Sequence, residues 1–358
     1  MLSSLPHQYI YYLSIVVSAL ISIYSVRKII FIALKRKIFD IPDNIRKIHG
    51  EQIPSLGGIG VFIGYMATVL FFAPFGFKVL NYIIISSVIL FFTGIYDDIM
   101  NMRPSKKLLA QILATAITVY FADIRITSLY GLLGIYDLPF WVSIYLTTFC
   151  GTFFINVFNF IDGIDGLACM LSILYTLIFG AHFASLGFTT EASLAFSLLG
   201  ATCGLLWFNY APAKIYMGDT GSMLSGFSIF ILALLFIRSA PALHIPDLGN
   251  TNSGYVAVQA VLAIFFLPVF DALRVFALRA SKGISPLKAD RRHLHYYLLD
   301  AGLGHAATAW LLVGINILTI LSAFVCMANN APAWLYYIAI TIPSAATAFI
   351  AASRVEKS

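Results

Sequence analysis

Residues 79–107, VLNYIIISSVILFFTGIYDDIMNMRPSKK, form a long apolar run that stops at two aspartates and a basic turn. A helix that crosses a membrane needs about 20 consecutive, mostly apolar residues. The run from 79 to 96 therefore predicts a transmembrane helix, with its charges collected at one end.

Similar apolar segments recur along the whole chain. They cover roughly 9–27, 59–76, 108–122, 140–158, 167–186, 192–209, 222–237, 255–275, 309–327 and 333–352. Only 11% of the residues are charged, against roughly 25% in soluble domains. We therefore predict an all-α, polytopic integral membrane protein, with residues 1–358 forming one domain of about eleven transmembrane helices. Pro268 predicts a bend in the ninth helix.

The basic residues lie mainly in alternate loops, whereas the opposite loops hold only Lys78, Arg125 and Arg238. Lysine and arginine favour the cytoplasmic side of a membrane. The pattern predicts a bacterial inner-membrane protein with the N-terminus outside and the C-terminus in the cytoplasm. Membrane topology also explains the net charge of +6, so we expect contact with membrane lipids and none with nucleic acid.

Seven aspartates are predicted at the cytoplasmic ends of the helices: Asp97, Asp98, Asp162, Asp165, Asp219, Asp271 and Asp290. A carboxylate at the centre of a transmembrane helix costs about 2.5–3.5 kcal/mol, so acids in such segments usually have a function. Two adjacent carboxylates need a neighbouring cation. The pair at 97 and 98 predicts either Mg²⁺ or neutralisation by Lys106 and Lys107, which could instead bind a lipid phosphate. A simple polar helix end is the alternative.

Two glycine-containing turns repeat this chemistry. Residues 156–168, NVFNFIDGIDGLA, place Asn156, Asn159, Asp162 and Asp165 at three-residue intervals before a predicted helix. Free amides at a helix N-terminus attract phosphate, and the carboxylates could bind sugar, base or metal. An ordinary Asx-glycine turn would explain fewer of these residues.

The second turn, residues 213–226, has the sequence AKIYMGDTGSMLSG, in which Gly218 and Gly221 flank Asp219. Helix capping by Thr220 or Ser222 would be the simplest explanation. Its position on the same predicted membrane side as the other acids favours a site for metal and phosphate.

Two basic loops are candidates for anion binding. The ninth loop contains Arg279, Asp290, Arg292, His293 and His295, which we predict to bind substrate, although some of its bases could serve topology alone. The spacing of the histidines puts their rings on opposite faces of a strand, or about 200° apart on a helix, so zinc chelation is not expected.

The first loop, residues 45–60, is IRKIHGEQIPSLGGIG. In this loop, Lys47 and His49 either contact phosphate or belong to a loop that only orients the protein.

Five fragments now occur in a familiar order: RKIHGEQIPSLGG, the aspartate pair, NVFNFIDGIDGLA, MGDTGS and ADRRHLHYYLLDAGL. From about residue 40 to 305 the chain resembles the polyprenyl-phosphate N-acetylhexosamine-1-phosphate transferases. The first loop and DRRHLH are most similar to the branch that transfers GlcNAc-1-phosphate to undecaprenyl phosphate. That branch starts O-antigen, common-antigen or teichoic-type polymers.

The phospho-MurNAc-pentapeptide transferase branch of cell-wall synthesis is the alternative within this family. It normally has three consecutive histidines, whereas here Tyr296 follows His295. The GlcNAc branch usually has His-x-His-His, and the present chain lacks its last histidine.

The resemblance implies that undecaprenyl phosphate attacks a UDP-N-acetylhexosamine, releasing UMP and leaving the sugar on a lipid pyrophosphate. It implies Mg²⁺, with Mn²⁺ as the alternative ion, bound by Asp219 and by Asp98 or its hydration shell. Asp97 would accept the proton of the lipid phosphate or position that phosphate, and Asp162 and Asp165 would also be catalytic. Direct attack and a covalent aspartyl intermediate both remain open, as does a homodimer.

A secondary transporter for an anionic substrate would also have many helices and intramembrane acids. Transporter sites lie near the bilayer midplane, however, whereas the predicted acids lie at one rim. The placement therefore favours an enzyme over a transporter.

Overall fold

The computed structural model describes residues 7–38, 53–72, 78–240, 253–283 and 291–355. Lys47, His49 and Asp290 lie outside the described residues. The helices are α1 (His7–Arg36), α2 (Gly57–Phe72), α3 (Lys78–Met100), α4 (Pro104–Phe121), α5 (Phe140–Ile161), α6 (Leu167–Ser185), α7 (Thr189–Asn209), α8 (Gly218–Ser239), α9 (Ser253–Ile264), α10 (Phe266–Ala280), α11 (Leu294–Asp300), α12 (His305–Ala328) and α13 (Ala333–Val355). Within the described ranges, β-structure is limited to an isolated bridge between Ser128 and Asp137.

The predicted all-α, polytopic architecture is confirmed, because each of the apolar segments coincides with a helix or helix pair. Eight helices in the described ranges are long and apolar enough to cross a membrane, and α9 with α10 forms a ninth, bent span. The helix α2 is a shorter apolar helix, and α4 carries two lysines in its first turn. With these two helices included, the bundle accounts for the predicted segments.

The helix α8 lies at the centre of the bundle. Its most apolar window is 94% buried, and it packs against α2, α3, α5, α6, α7 and α9. A helix that is apolar on all sides is suited to this position because no face needs to meet water. Its first turn contains Asp219, so the centre of the bundle holds this acid in place.

Close packing by small residues joins α1 to α7. The hydroxyls of Ser18 and Ser22 donate to the carbonyls of Ser197 and Ala201 at 2.6 and 2.8 Å. At Gly200 an added Cβ would lie 2.2 Å from a backbone oxygen of α1. Small residues of this kind let membrane helices approach closely and form interhelical hydrogen bonds.

The ninth span bends by 63° between α9 and α10, one turn before Pro268, as the sequence predicts. A proline has no N–H to donate to the carbonyl four residues earlier, which here belongs to Ile264. The Asn316 side-chain amide donates to that carbonyl at 3.2 Å, and its own oxygen accepts from the Tyr175 hydroxyl at 2.7 Å. These bonds satisfy the broken helix inside the protein and fix the direction of α10.

Candidate active site

Four helix ends meet at one end of the bundle. The C-terminus of α3 brings Asp97 and Asp98, the first turns of α4 and α8 bring Lys107 and Asp219, and α5 ends near Asn159. The sequence analysis predicted these residues to gather, and their contacts place them in one cluster.

The Lys107 ammonium lies between two carboxylates from different helices. Its Nζ is 3.0 Å from Asp97 Oδ2 and 2.8 Å from Asp219 Oδ1. The Asn159 amide donates to the Asp219 carboxylate and, at 2.7 Å, to Ser222 Oγ. The lysine and asparagine thus hold Asp219 opposite Asp97, with a positive charge at the point where the two acids converge.

Asp98 is attached to the N-terminus of α8. Its carboxylate accepts the backbone N–H groups of Asp219 and Thr220 at 2.7 and 3.0 Å and the Thr220 hydroxyl at 2.5 Å. The first N–H groups of a helix have no partner within that helix, so Asp98 of α3 caps α8. Its predicted contact with metal stays a prediction, since these contacts assign the carboxylate a structural task.

Close backbone packing brings Asp98 within hydrogen-bonding distance of the first turn of α8. A Cβ at Gly94 would lie 2.4 Å from the Thr220 Cα, and one at Gly58 would lie 2.0 Å from the Gly221 nitrogen. Only glycine fits at such distances, because real Cβ contacts are longer. The glycines bring α2 and α3 directly against the first turn of α8.

Asp162 directly follows α5 and accepts a hydrogen bond from the Gly218 backbone N–H. Burial, together with the neighbouring carboxylates of Asp219 and Asp98, holds the pKa of Asp162 well above its usual range. Low dielectric and like charges both favour the protonated acid. Asp162 therefore belongs electrostatically to the cluster formed by α3 and α8.

The described end of the first loop supports the turn before α8. The Tyr216 N–H donates to the Pro54 carbonyl at 2.9 Å, and the N–H groups of Gly57 and Gly58 donate to the carbonyls of Tyr216 and Met217 at 3.0 and 2.8 Å. This pairing explains why the glycines of the first loop and the MGDTGS turn occur in the same protein. The two paired backbone segments lie beside Asp219.

Two predicted site residues, Asp165 and Asn156, form contacts with residues outside the acid cluster. The Asp165 carboxylate accepts from the Ala213 N–H at 3.1 Å and lies 3.3 Å from His305 Nδ1. The Asn156 amide donates to Gln111 Oε1 at 2.7 Å. Both side chains brace neighbouring helices here, and their predicted roles in catalysis and substrate binding stay predictions.

Asn209 is a structural residue that the sequence analysis missed. Its Oδ1 accepts from the Gly166 N–H at 3.1 Å, and its Nδ2 donates to the Ile215 carbonyl at 2.9 Å. Gly166 has a φ of +78°, which glycine adopts readily. Asn209 therefore ties the turn before α6 to the turn before α8. The sequence signal for this role is a single asparagine at the end of an otherwise apolar helix.

The ninth-loop histidines are buried with exposures of 5% and 1%. The rings of His293 and His295 are nearly parallel, 3° apart in plane, with centroids 5.6 Å apart. The expected separation onto opposite faces was wrong because His293 is extended (φ −66°, ψ 152°) whereas His295 lies in the first turn of α11. A Cβ at Gly163 would lie 2.2 Å from His295 Nε2, so the pair adjoins the turn containing Asp162.

The remaining basic candidates differ in their surroundings. Lys106 is exposed, unlike its neighbour Lys107. Arg279 is buried, with its guanidinium 6.0 Å from the centre of the Phe276 ring. The backbone carbonyl of Arg292 accepts from the Arg274 guanidinium at 2.6 Å. Lys107 contacts the acid cluster directly, through Asp97 and Asp219.

The cluster suits a hard divalent cation. Asp97 and Asp219 already converge on a single positive charge, that of Lys107, and Mg²⁺ is commonly held by one or two carboxylates completed by substrate phosphates and water. Over the described part of the chain, no group of three His, Cys, Asp or Glu side chains is arranged as a protein-only metal site. Asp97 and Asp219 could supply two carboxylate ligands, with substrate phosphates and water as the remaining ligands.

Comparisons with known proteins identify relatives of the chain. The model of glycosyl transferase family 4 matches residues 80–237. The chain is 30% identical over 314 residues to the "probable undecaprenyl-phosphate N-acetylglucosaminyl 1-phosphate transferase" of Bacillus subtilis (strain 168), covering 85% of this chain and 81% of that protein.

Two further relatives have similar names. The "undecaprenyl-phosphate alpha-N-acetylglucosaminyl 1-phosphate transferase" of Salmonella typhi is 30% identical over 300 residues, covering 81% of this chain and 76% of the relative. The "decaprenyl-phosphate N-acetylglucosaminephosphotransferase" of Mycolicibacterium smegmatis is 30% identical over 286 residues, with coverages of 73% and 68%.

Proposed function

The chain belongs to glycosyl transferase family 4, and from this membership we propose that it transfers GlcNAc-1-phosphate from UDP-GlcNAc to undecaprenyl phosphate. The products are UMP and a sugar linked to the lipid through pyrophosphate. This reaction would be the first membrane step in making a cell-surface polysaccharide. The observation that carries the proposal is the convergence of Asp97, Lys107 and Asp219 from three helix ends.

The reaction brings two anions together. An oxygen of the lipid phosphate forms a bond to the β-phosphorus of the donor, and the bond from that phosphorus to the bridging oxygen breaks, so that UMP leaves with the electron pair. Phosphoryl transfer depends mainly on positioning and on electrostatic stabilisation. Lys107, which lies between Asp97 and Asp219, supplies positive charge at this place.

Asp97 and Asp219 are proposed to hold the metal, and Asp98 stays a predicted ligand of the metal or of its hydration shell. Mg²⁺ fits these carboxylates better than a softer ion would. When bound, it would neutralise charge on the donor diphosphate. Asp98 holds the first turn of α8 so that Asp219 keeps its position. Asp97 also faces Lys107, which can attract the lipid phosphate. At neutral pH such a phosphate is largely ionised, with a second pKa of about 6, so Asp97 positions it more than it removes a proton.

The donor is proposed to lie between the acid cluster and the histidine pair. His293 and His295 can hydrogen-bond its sugar or diphosphate, and Arg279 and Arg292 supply positive charge. Lys47, His49, Lys106 and Asp290 remain predicted substrate-binding residues. The alternation of charged loops favours a cytoplasmic site, where the nucleotide-sugar is available, with the N-terminus outside.

The test is UMP release by the purified protein, supplied with UDP-GlcNAc, undecaprenyl phosphate and Mg²⁺. Release that requires both substrates and the metal supports the proposal. Asp219→Asn should nearly abolish turnover while leaving the amount of folded protein unchanged, because the amide keeps the size but loses the charge. Activity close to wild type at saturating Mg²⁺ would contradict the metal assignment.

A further inference from the structure

Side chains in one turn of α10 form hydrogen bonds with the start of α11 and with the residues just before it. Asp271 is buried, with an exposure of 5%, and its carboxylate accepts from His293 Nδ1 at 3.0 Å and from the Leu294 N–H at 3.1 Å. Arg274 donates to the same carboxylate at 2.8 Å and to the Arg292 carbonyl at 2.6 Å. Side chains from α10 thus hold three consecutive residues at the end of the ninth loop.

The contact with His293 is chemically different from the other contacts of Asp271. The Leu294 N–H and the Arg274 guanidinium fix the backbone and already satisfy the carboxylate with charged and neutral donors. The additional bond to Nδ1 fixes the imidazole ring. A carboxylate can only accept a hydrogen bond, so Nδ1 carries the proton and a neutral ring keeps Nε2 as its acceptor.

The fixed ring belongs to a continuous stack that ends at the acid cluster. The rings of Phe160 and His293 have centroids 5.6 Å apart, and His293 stacks on His295, whose Nε2 adjoins Gly163. Gly163 directly follows Asp162, which accepts from the Gly218 N–H beside Asp219. Rotation of His293 would therefore disturb the packing of His295 against the turn that contains Gly163.

We propose that Asp271 is a positioning residue for the reaction, holding His293 in the Nδ1–H tautomer so that Nε2 can accept a hydrogen bond from a hydroxyl group of the donor's sugar. This inference rests on the proposed function. The carboxylate acts through the imidazole and does not touch substrate itself. A carboxylate that orients a histidine and selects its tautomer is a common arrangement in active sites, and here it comes from the bent half of the ninth span.

The experiment is a double-mutant cycle with Asp271→Asn, His293→Ala and the combined variant, measured as UMP release over a range of UDP-GlcNAc concentrations. Asparagine can turn its NH₂ group toward Nδ1 and favour the other tautomer. Each single substitution should lower kcat/KM for the donor about tenfold or more, since a charge-assisted bond is affected. The double variant should be no more than about threefold worse than His293→Ala, because both changes remove the same interaction.

Asp300→Asn is the matched control. Asp300 ends α11 and pairs with Arg291 at 2.8 Å in a more exposed position. Asp300→Asn should therefore leave kcat/KM for the donor unchanged, both in the wild-type protein and in the His293→Ala variant. If Asp271→Asn does not give folded protein, Asp271→Glu provides the same cycle with the charge retained and the carboxylate displaced by one methylene.

The outcomes separate the two hypotheses. If the wild-type protein releases no UMP, the proposed function fails, and the positioning role fails with it. If the wild-type protein is active but the fold losses in kcat/KM of the two single variants multiply in the double variant, Asp271 acts independently of His293. Only the positioning role is then overturned. Wild-type kinetics for Asp271→Asn would overturn it as well.

Discussion

Asp98 offers the sharpest test of how the site is built, because its sequence position suggests a metal ligand whereas its contacts make it a helix cap. We expect Asp98→Asn and Asp98→Ala to destabilise the protein even without metal. The carboxylate accepts three hydrogen bonds from the first turn of α8. Removing it leaves those donors unpaired in the centre of the bundle.

The magnitude follows from these contacts. An unsatisfied buried donor costs about 1–3 kcal/mol. Asparagine keeps one acceptor oxygen and replaces the other by an NH₂ group that cannot accept, so Asp98→Asn should lower the free energy of unfolding by about 2 kcal/mol. Alanine keeps no acceptor, and we expect a loss of about 4 kcal/mol.

The assay is reversible unfolding by SDS in mixed detergent micelles, performed with chelator so that metal cannot contribute. Asp97→Asn is the comparison, because Lys107 keeps its contact with Asp219 when Asp97 loses its charge; its stability loss should be smaller than that of Asp98→Asn. A free energy of unfolding within about 0.5 kcal/mol of wild type for Asp98→Asn, the range of ordinary surface substitutions, would refute the cap and favour direct metal binding.

Three further results are expected. Lys107→Met should bind Mn²⁺ more tightly than wild type in an EPR titration, because the ammonium between the two carboxylates no longer competes; exposed Lys106→Met is the control, and equal or weaker binding by Lys107→Met would contradict this. Asn316→Leu should lower the free energy of unfolding by about 1–3 kcal/mol, since it leaves the carbonyl at the bend without its donor; a neutral effect would show that the bend needs no such bond. A cysteine at Asn330 should react with a membrane-impermeant thiol reagent in intact cells and one at Ser281 should not; the reverse pattern would invert the proposed topology.

The helices could be predicted from sequence because membrane solvent imposes a simple requirement on length and apolarity. Segment 79–96 lies within α3, and Pro268 correctly indicates the bend of the ninth span. Helix ends were less accurate: α3 continues beyond residue 96, through the aspartate pair, to Met100. A long helix can extend beyond the apolar run because backbone hydrogen bonding does not stop where hydropathy falls.

The gathering of Asp97, Asp98 and Asp219 could be predicted because alternating helices bring every second loop to the same end. The hydrogen-bond partners of the individual carboxylates could not be predicted. Asp162 and Asp165 are one helical turn apart in sequence, yet one accepts from Gly218 and the other from Ala213. Such partners depend on how distant helices rotate against each other, and a single sequence contains no direct record of that rotation.

The central position of α8 has a consequence for biogenesis. Of the helices that pack most extensively against it, α2, α3, α5, α6 and α7 are synthesised earlier and α9 later, and α4, which contacts it through Lys107, is also earlier. The first seven helices are therefore made before the helix that packs among them, and their packing is complete only once α8 has been inserted. Since Asp219 stands at the leading end of α8, the acid cluster can assemble only at that moment, so ribosome-bound chains that end before residue 218 hold the surrounding helices without a working centre.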